Sequence, residues 1–165
     1  LFRSVFGMAF VRDNPSAAGA LFLVLATCMG MSMSTIFLAY KLGTIFTAFF
    51  ATAVGFLGTS LFGYTTKTDM SGLSTFFTVA LFGMIGLMII NIFVHSTVFT
   101  LAVSAAGVLL FAGLTAYDTQ KIKETYLQGY GTQTTAIFGA LELYLDFVNM
   151  FLFILRILGV ATNND

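Results

Sequence analysis

The sequence predicts an all-α fold, a polytopic transmembrane helical bundle with five spans. Of its 165 residues, 58% are hydrophobic and 8% are charged, whereas about a quarter of the residues in a soluble domain are charged. The mean hydropathy is +0.96. The apolar residues also form segments near the ~20 residues that a helix needs to cross hydrocarbon. These lengths fit helices rather than barrel strands.

The five apolar segments follow one another with few interruptions. Pro15 and Ser16 suit the start of the first helix, because the proline N–H that is missing there would be unsatisfied anyway. No other proline occurs in the chain. The predicted spans are residues 16–40, 43–63, 72–94, 97–118 and 134–159.

The connections between the spans are short, which predicts that sequential helices run antiparallel. They are "YKLGT" (40–44), "GYTTKTDMSG" (63–72) and "VHST" (94–97). The exception is 119–133, a polar stretch that contains Gly129 and Gly131. We expect its first half to extend the fourth helix.

The distribution of basic residues predicts the orientation, because Lys and Arg accumulate in cytoplasmic loops. Lys41 lies on one side, whereas the other side carries Arg3, Arg12, Lys67, Lys121 and Lys123. We therefore expect 63–72 and 119–133 to be cytoplasmic and the C-terminus to lie outside. Lys121 and Lys123 are expected to extend to the lipid headgroups.

Charge and cysteine content exclude several classes of protein. Seven Lys plus Arg balance seven Asp plus Glu, so no global field attracts nucleic acid. Cys28 is the only cysteine, so an intrachain disulfide is impossible.

The predicted organisation is an N-terminal cytoplasmic segment (1–14), one transmembrane domain (15–160) and a C-terminal tail (161–165). Residues 1–14 begin with Leu and lack the pattern of a cleavable signal peptide. We therefore expect that the beginning of the chain is missing.

Small residues recur through the spans, and we predict that they let helices approach closely in lipid. They are Gly55, Gly58, Gly83, Gly86, Ala102, Ala106, Gly107 and Gly113.

The last segment, "GALELYLDFVNMFLFILRILG" (139–159), carries polar residues in an apolar helix. Glu142, Asp146, Asn149 and Arg156 follow one another at steps of four, three and seven, so they share one stripe. Such groups cost roughly 2.5–3.5 kcal/mol each in hydrocarbon. The stripe therefore must face the bundle interior or a wet cavity.

Asp118, in "GLTAYDTQKIK" (113–123), is the nearest candidate partner for Asp146. Two carboxylates in low dielectric cannot both ionise comfortably, so the pair is expected to titrate as a coupled unit. The deprotonated pair would offer hard oxygen ligands to Ca²⁺. A simple depth count leaves the two residues several turns apart unless the loop or a helix tilt closes the gap.

The residues alone leave other interpretations open. Asp118 could face water while Asp146 makes a structural contact with Arg156 or with hydroxyl groups. A midplane carboxylate also suits proton-coupled transport. An intramembrane enzyme is the weakest option, because no nucleophile–base pair or metal triad can be assembled.

With these segments in view, the chain resembles the Bax inhibitor-1 family, also called YccA/Lifeguard or transmembrane Bax-inhibitor-motif proteins. "GLTAYDTQKIK" and "GALELYLDFVNMFLFILRILG" resemble its two most recognisable segments, while "GYTTKTDMSG" and "NIF" (91–93) resemble its bacterial branch. The resemblance covers nearly the whole chain from residue 15. It implies that the five spans match the last five of a seven-helix bundle around a central C-terminal helix.

The resemblance also implies a function, a pH-sensitive calcium leak across a bacterial plasma (inner) membrane. By motif, Asp118 and Asp146 form the aspartate dyad that senses pH, gates the path and binds Ca²⁺. A basic residue that helps latch the pair belongs to an early helix outside these spans. We expect Glu142 and Asn149 to line the adjacent path.

The expected partners are the lipid bilayer, Ca²⁺ and protons. No cofactor or catalytic residue is predicted. The alternative is a regulatory membrane protein that binds other membrane proteins, such as a membrane protease or a cell-death partner.

Overall fold

The computed structural model describes residues 14–163, and the regular elements in this range are all helical. Five helices are long and apolar enough to cross a membrane, which confirms the predicted fold class. They are α1 (Pro15–Met33), α2 (Leu42–Thr65), α3 (Ser74–Val94), α4 (Thr97–Leu127) and α5 (Gln133–Asn163). A short helix, Ile36–Ala39, completes the first span, and a 3-10 turn, Ser71–Leu73, precedes α3.

The helix ends follow from local sequence. Pro15 is the first residue of α1, and the Asn14 side chain accepts hydrogen bonds from the Ser16 and Ala17 amides. An N-cap of this kind satisfies donors that have no partner within the helix. At the end of α3, His95 adopts a left-handed conformation with φ 46°. Ser96 then caps α4, since its hydroxyl accepts from the Phe99 N–H.

The last two helices extend furthest beyond the predicted spans. α4 continues to Leu127, as expected for the first half of 119–133. α5 continues to Asn163, past the predicted domain end at residue 160. Arg3 and Arg12 lie outside the described residues. The part of the orientation prediction that depends on these two residues therefore stays a prediction.

α4 and α5 form the centre of the described bundle. α5 contacts α1, α2 and α4, whereas α3 packs mainly on α4. The residues that fill the space around this pair are almost fully buried and include Val103, Met150, Phe153 and Leu155. The bundle therefore surrounds the C-terminal helix, as the resemblance implies.

Large apolar side chains cover the outer surface of the described helices. Leu38 is 91% exposed and Val98 is 77% exposed. An extensive exposed apolar surface of this kind is typical of a protein that faces lipid.

Only some of the predicted small residues lie at close helix contacts. A Cβ on Gly107 would meet the Phe153 ring, and one on Gly113 would lie 3.0 Å from Phe77. Gly58, Gly83 and Gly86 have open space beside them. The closest approach is at Gly63, where a Cβ would overlap the backbone of Ala116. This contact was not predicted from the sequence.

The α2–α3 connection is attached to α4 through Gln120, a buried side chain that sequence reasoning missed. Its Nε2 donates to the Thr68 carbonyl at 2.8 Å, and its Oε1 accepts from the Met70 N–H at 2.8 Å. Asp69 lies between these two residues and accepts from the Ser71 N–H at 2.9 Å. That hydrogen bond lowers the pKa of Asp69 below its ordinary value, so this carboxylate stays ionised at neutral and mildly acidic pH.

Gln120→Leu is expected to release this connection. Leucine matches the volume but makes neither hydrogen bond, and each lost buried bond costs about 1–3 kcal/mol. Hydrogen exchange of the Met70 amide should accelerate by about tenfold or more, because its acceptor is lost. Gln133→Leu, at an exposed glutamine, is the matched control. Equal Met70 exchange in both variants would contradict the attachment.

Candidate functional site

The charged residues of the spanning helices are confined to α4 and α5. The ranges Pro15–Ala39, Leu42–Thr65 and Ser74–Val94 contain no Asp, Glu, Lys or Arg. Because ionised groups are costly in hydrocarbon, their placement identifies the interface between α4 and α5 as the candidate site.

Asp118 and Asp146 meet at this interface, where their carboxyl groups are close enough to interact directly. Asp118 lies nine residues before the end of α4, or about 14 Å along its axis. Asp146 lies thirteen residues after the start of α5, or about 20 Å. The depth count from the sequence was wrong because α4 extends to Leu127, which moves the loop away from Asp118.

Both carboxyl groups are withdrawn from the surface. Asp118 is 7% exposed and Asp146 is 5% exposed. A hydrogen bond between two carboxyl groups requires that one of them carries a proton and donates it. The Asp146 Oδ2 atom is also buried, and no donor among residues 14–163 reaches it. The pair therefore has an arrangement that would allow a proton to be shared, and it retains acceptor capacity at Oδ2.

A second charged pair lies one helical turn closer to the α4–α5 loop. Lys121 Nζ donates to Glu142 Oε1 at 2.9 Å and to Oε2 at 3.0 Å. The side chains are 42% and 30% exposed, respectively. The ammonium group of Lys121 thus binds a carboxylate of the neighbouring helix, a contact that the sequence did not predict, and its expected reach to the headgroups stays a prediction.

Lys123 takes a different direction, toward α2. Its ammonium group donates to the Tyr64 carbonyl at 2.7 Å and lies 4.8 Å from the centre of the Tyr64 ring. A cation is favourable at this position because the last carbonyl groups of a helix carry partial negative charge.

The other two members of the polar stripe do not join the aspartate pair. Asn149 Nδ2 donates to the Leu145 carbonyl of its own helix at 2.8 Å. The Arg156 guanidinium lies 5.8 Å from the centre of the Phe153 ring. In the described part of the chain, no ion pair joins Arg156 to Asp146. The roles of Glu142 and Asn149 beside an ion path stay predictions.

Two grooves open at opposite ends of the bundle. One, of about 320 Å³, lies near the charged pairs and is lined by Tyr64, Thr119, Ile122, Lys123, Tyr126, Leu127 and Leu143. The other, of about 470 Å³, is lined by Lys41, Gly43, Thr44, Thr47, Leu158 and Thr162. Between α2 and α5, next to the second groove, Ile45, Ala48, Phe151 and Leu155 pack into an apolar cluster. The α2–α5 interface is therefore apolar at this level.

Two carboxyl groups supply fewer ligands than a Ca²⁺ ion takes. Ca²⁺ takes six to eight oxygen ligands. Among residues 14–163, no group of three or more His, Cys, Asp or Glu side chains is arranged to hold a metal ion. Water and carbonyl oxygens would therefore have to supply most ligands of an ion at this pair.

The Lys121–Glu142 pair could have been found from spacing once Asp118 was matched with Asp146. Lys121 lies three residues after Asp118, and Glu142 lies four residues before Asp146. On antiparallel helices, these steps move in the same direction by about one turn. Without knowing that the two aspartates face each other, the second pair could not be located from the sequence.

Comparison with known proteins places this site in a family. The family model described as "Inhibitor of apoptosis-promoting Bax1" (Bax1-I) matches residues 1–164. The chain belongs to the Bax1-I family. The sequence-based assignment to the Bax inhibitor family is thereby confirmed.

Relatives of this Bax1-I chain occur in several bacteria. An uncharacterized protein of Caulobacter vibrioides is 40% identical over 93% of this chain and 63% of its own length. Inner membrane protein YbhL of Escherichia coli is 42% identical over 84% of this chain and 62% of its own length. An uncharacterized membrane protein of Streptococcus pyogenes is 41% identical over 90% of this chain and 66% of its own length.

The Bax1-I chain thus spans about two thirds of the length of the curated relatives that it matches. With five helices capable of spanning a membrane, it is an integral membrane protein.

Proposed function

We propose that the protein is a passive calcium-leak channel of a bacterial plasma (inner) membrane, gated by protonation of the Asp118–Asp146 pair. The observation that carries this proposal is the close approach of two buried carboxyl groups from neighbouring helices. A site that shares one proton in low dielectric gains a full negative charge when that proton leaves. Few other arrangements of two side chains respond so strongly to pH.

The same pair is suited to divalent cations. Once deprotonated, it presents hard oxygen atoms from two helices, and Ca²⁺ prefers such ligands. Protons and Ca²⁺ then compete for one site, so the occupancy of the pair depends on both concentrations. The Asp146 Oδ2 atom, which has no hydrogen-bond partner among the described residues, can bind either a proton or Ca²⁺.

The described packing corresponds to a closed state. The apolar cluster around Phe151 and Leu155 has no polar atoms to replace the hydration shell of an ion. Opening requires α2 and α5 to separate, and charge repulsion within the pair is a force that can shift α5. We infer no enzymatic role, because the site offers proton sharing and no nucleophile.

The membrane assignment within this proposal rests on a relative. YbhL is an inner membrane protein by name, and a plasma-membrane leak requires such a location. A tagged full-length protein should therefore fractionate with the inner membrane.

The test is calcium efflux from liposomes that contain the full-length protein, followed with an external calcium indicator. We expect flux that changes with pH between about 6 and 8, where a shared carboxyl proton can titrate. Flux equal to that of protein-free liposomes at every pH would contradict the proposal. Stoichiometric co-purification of another membrane protein would then favour the regulatory alternative. Proton movement coupled to calcium would indicate transport rather than a leak.

A further inference from the structure

The Lys121–Glu142 ion pair is stacked on the Asp118–Asp146 pair, and each pair joins α4 to α5. Lys121 follows Asp118 by three residues, and Glu142 precedes Asp146 by four, so both pairs lie on the same helix faces. The four side chains form a two-layer charge ladder. Its outer layer is partly exposed, whereas its inner layer is buried.

The ladder contains the charged groups that face the aspartate pair within the described helices. α1, α2 and α3 contribute none. The further titratable group beside the ladder is the Tyr117 hydroxyl, which is close enough to Lys121 to interact with its charge. Lys121 is thus the cation within the ladder, facing three carboxyl groups.

The Lys121 ammonium group has capacity for a further contact. It carries three N–H donors, and Glu142 accepts from it at two positions. Asp118 lies one turn away on the same helix, within reach of the flexible four-carbon stem. Lys121 can therefore exchange Glu142 for the aspartate pair by rotation of its side chain.

We propose that Lys121 is an internal counter-ion for the Asp118–Asp146 pair and that Glu142 holds it away from the pair. The movement of Lys121 between Glu142 and the aspartates forms the inner gate of the cation path. The gate role rests on the proposed channel function; the counter-ion role does not. While Lys121 stays on Glu142, the aspartates keep their shared proton. When Lys121 moves to the aspartates, it occupies the position that a cation would take.

The counter-ion role is tested by chemical labelling without calcium. A hydrophobic carbodiimide modifies protonated carboxyl groups in membranes, and peptide mass spectrometry gives the rate at Asp146 in the full-length protein. Lys121→Gln removes the nearby positive charge, so labelling should rise by about tenfold. Glu142→Gln releases Lys121 toward the aspartates, so labelling should fall by about tenfold.

The opposite signs distinguish an electrostatic role of this ion pair from a merely structural one. Both substitutions break the same ion pair, so a merely structural role would shift labelling in one direction for both. The matched control is Lys123→Gln, whose ammonium group binds Tyr64 outside the ladder and which should label like the parent protein. The exchanged pair Lys121→Glu with Glu142→Lys keeps the ion pair and should return labelling to within about threefold of the parent. Unchanged labelling, or equal directions in the two single variants, would overturn the proposal.

Calcium efflux then tests the gate role. At about pH 8, where the parent pair has lost its shared proton, Lys121→Gln should raise the flux by about tenfold, because a competing positive charge is removed, and Glu142→Gln should lower it by a similar factor. If labelling shifts in opposite directions but no protein, including the parent, carries calcium, the channel proposal fails and the counter-ion role stands. If the parent carries calcium and neither variant changes its flux, the gate role is wrong.

Discussion

Asp146→Asn is expected to abolish the pH dependence of calcium flux. Asparagine keeps the shape of the side chain but does not ionise, and its amide can donate a hydrogen bond to Asp118 at every pH. The two-carboxyl unit that shares a proton is then lost. Flux measured in liposomes at about pH 6 and about pH 8 should differ by less than about twofold, because no coupled titration remains in this range.

Asp69→Asn is the matched control for this experiment. Asp69 lies in the α2–α3 connection, and its hydrogen bond with Ser71 lowers its pKa below the ordinary carboxyl value of 3.8. A lowered pKa gives a stabilising contribution that is present above that value and is lost only in stronger acid. Between about pH 6 and pH 8 this contribution is constant. Asp69→Asn should therefore keep the pH response of the parent.

The response of Asp146→Asn separates the two main functions. A variant that still leaks calcium with the parent pH profile would show that the aspartate pair is not the sensor. A variant that loses the profile while Asp69→Asn retains it assigns the sensor to α4 and α5. A regulatory protein that acts through its surface would tolerate both substitutions.

Gly63→Ala is expected to destabilise the bundle more than any other single-methyl addition on α2. A Cβ at this position would overlap the backbone carbonyl and Cα of Ala116. Backbone atoms cannot rotate away as a side chain does, so α2 must move off α4. Overpacking of this kind costs about 1–3 kcal/mol and occasionally more, and we expect the upper end of that range.

Gly58→Ala, on the same helix, is the control for Gly63→Ala. Nothing lies within 4 Å of the Cβ position at Gly58, and alanine favours the helix over glycine by about 1 kcal/mol. Thermal unfolding in detergent should therefore show a lower midpoint for Gly63→Ala and an unchanged or higher one for Gly58→Ala. Equal midpoints would contradict the close approach of α2 to α4.

The Gly63 contact also reaches the candidate site. Ala116 precedes Asp118 by two residues on α4, and the Ser60 and Thr119 hydroxyl groups, 3.0 Å apart, form a second link between α2 and α4 at the same level. A shift of α2 would therefore disturb the helix that carries Asp118. We expect folded Gly63→Ala protein to have altered calcium flux, even though the substitution changes no charge.

The fold and the identity of the paired aspartates could be predicted from the sequence. The long apolar segments and short connections identified five helices, because the membrane requires each span to satisfy its own backbone. Asp118 and Asp146 stood out because ionisable residues inside hydrocarbon are rare and costly. Small residues were a weaker guide: Gly107 and Gly113 lie at contacts, whereas Gly83 and Gly86 do not.

The partners of the polar side chains could not be predicted in the same way. Lys121 was expected at the headgroups and lies on Glu142; Gln120 drew no attention and holds the α2–α3 connection. Both outcomes depend on the register between helices. An error of one residue in that register rotates a side chain by about 100° around its helix, so local sequence alone does not determine which groups meet.

By itself, the sequence determined that the chain belongs to the Bax1-I family and contains five helical spans, of which only the last two carry charged residues. The reason is that the cost of placing polar groups in hydrocarbon is local and can be read residue by residue. Only the tertiary structure decided that Asp118 meets Asp146, that Lys121 binds Glu142 and that Gly63 touches Ala116. These contacts depend on the relative rotation and depth of helices, which the packing of many side chains fixes together.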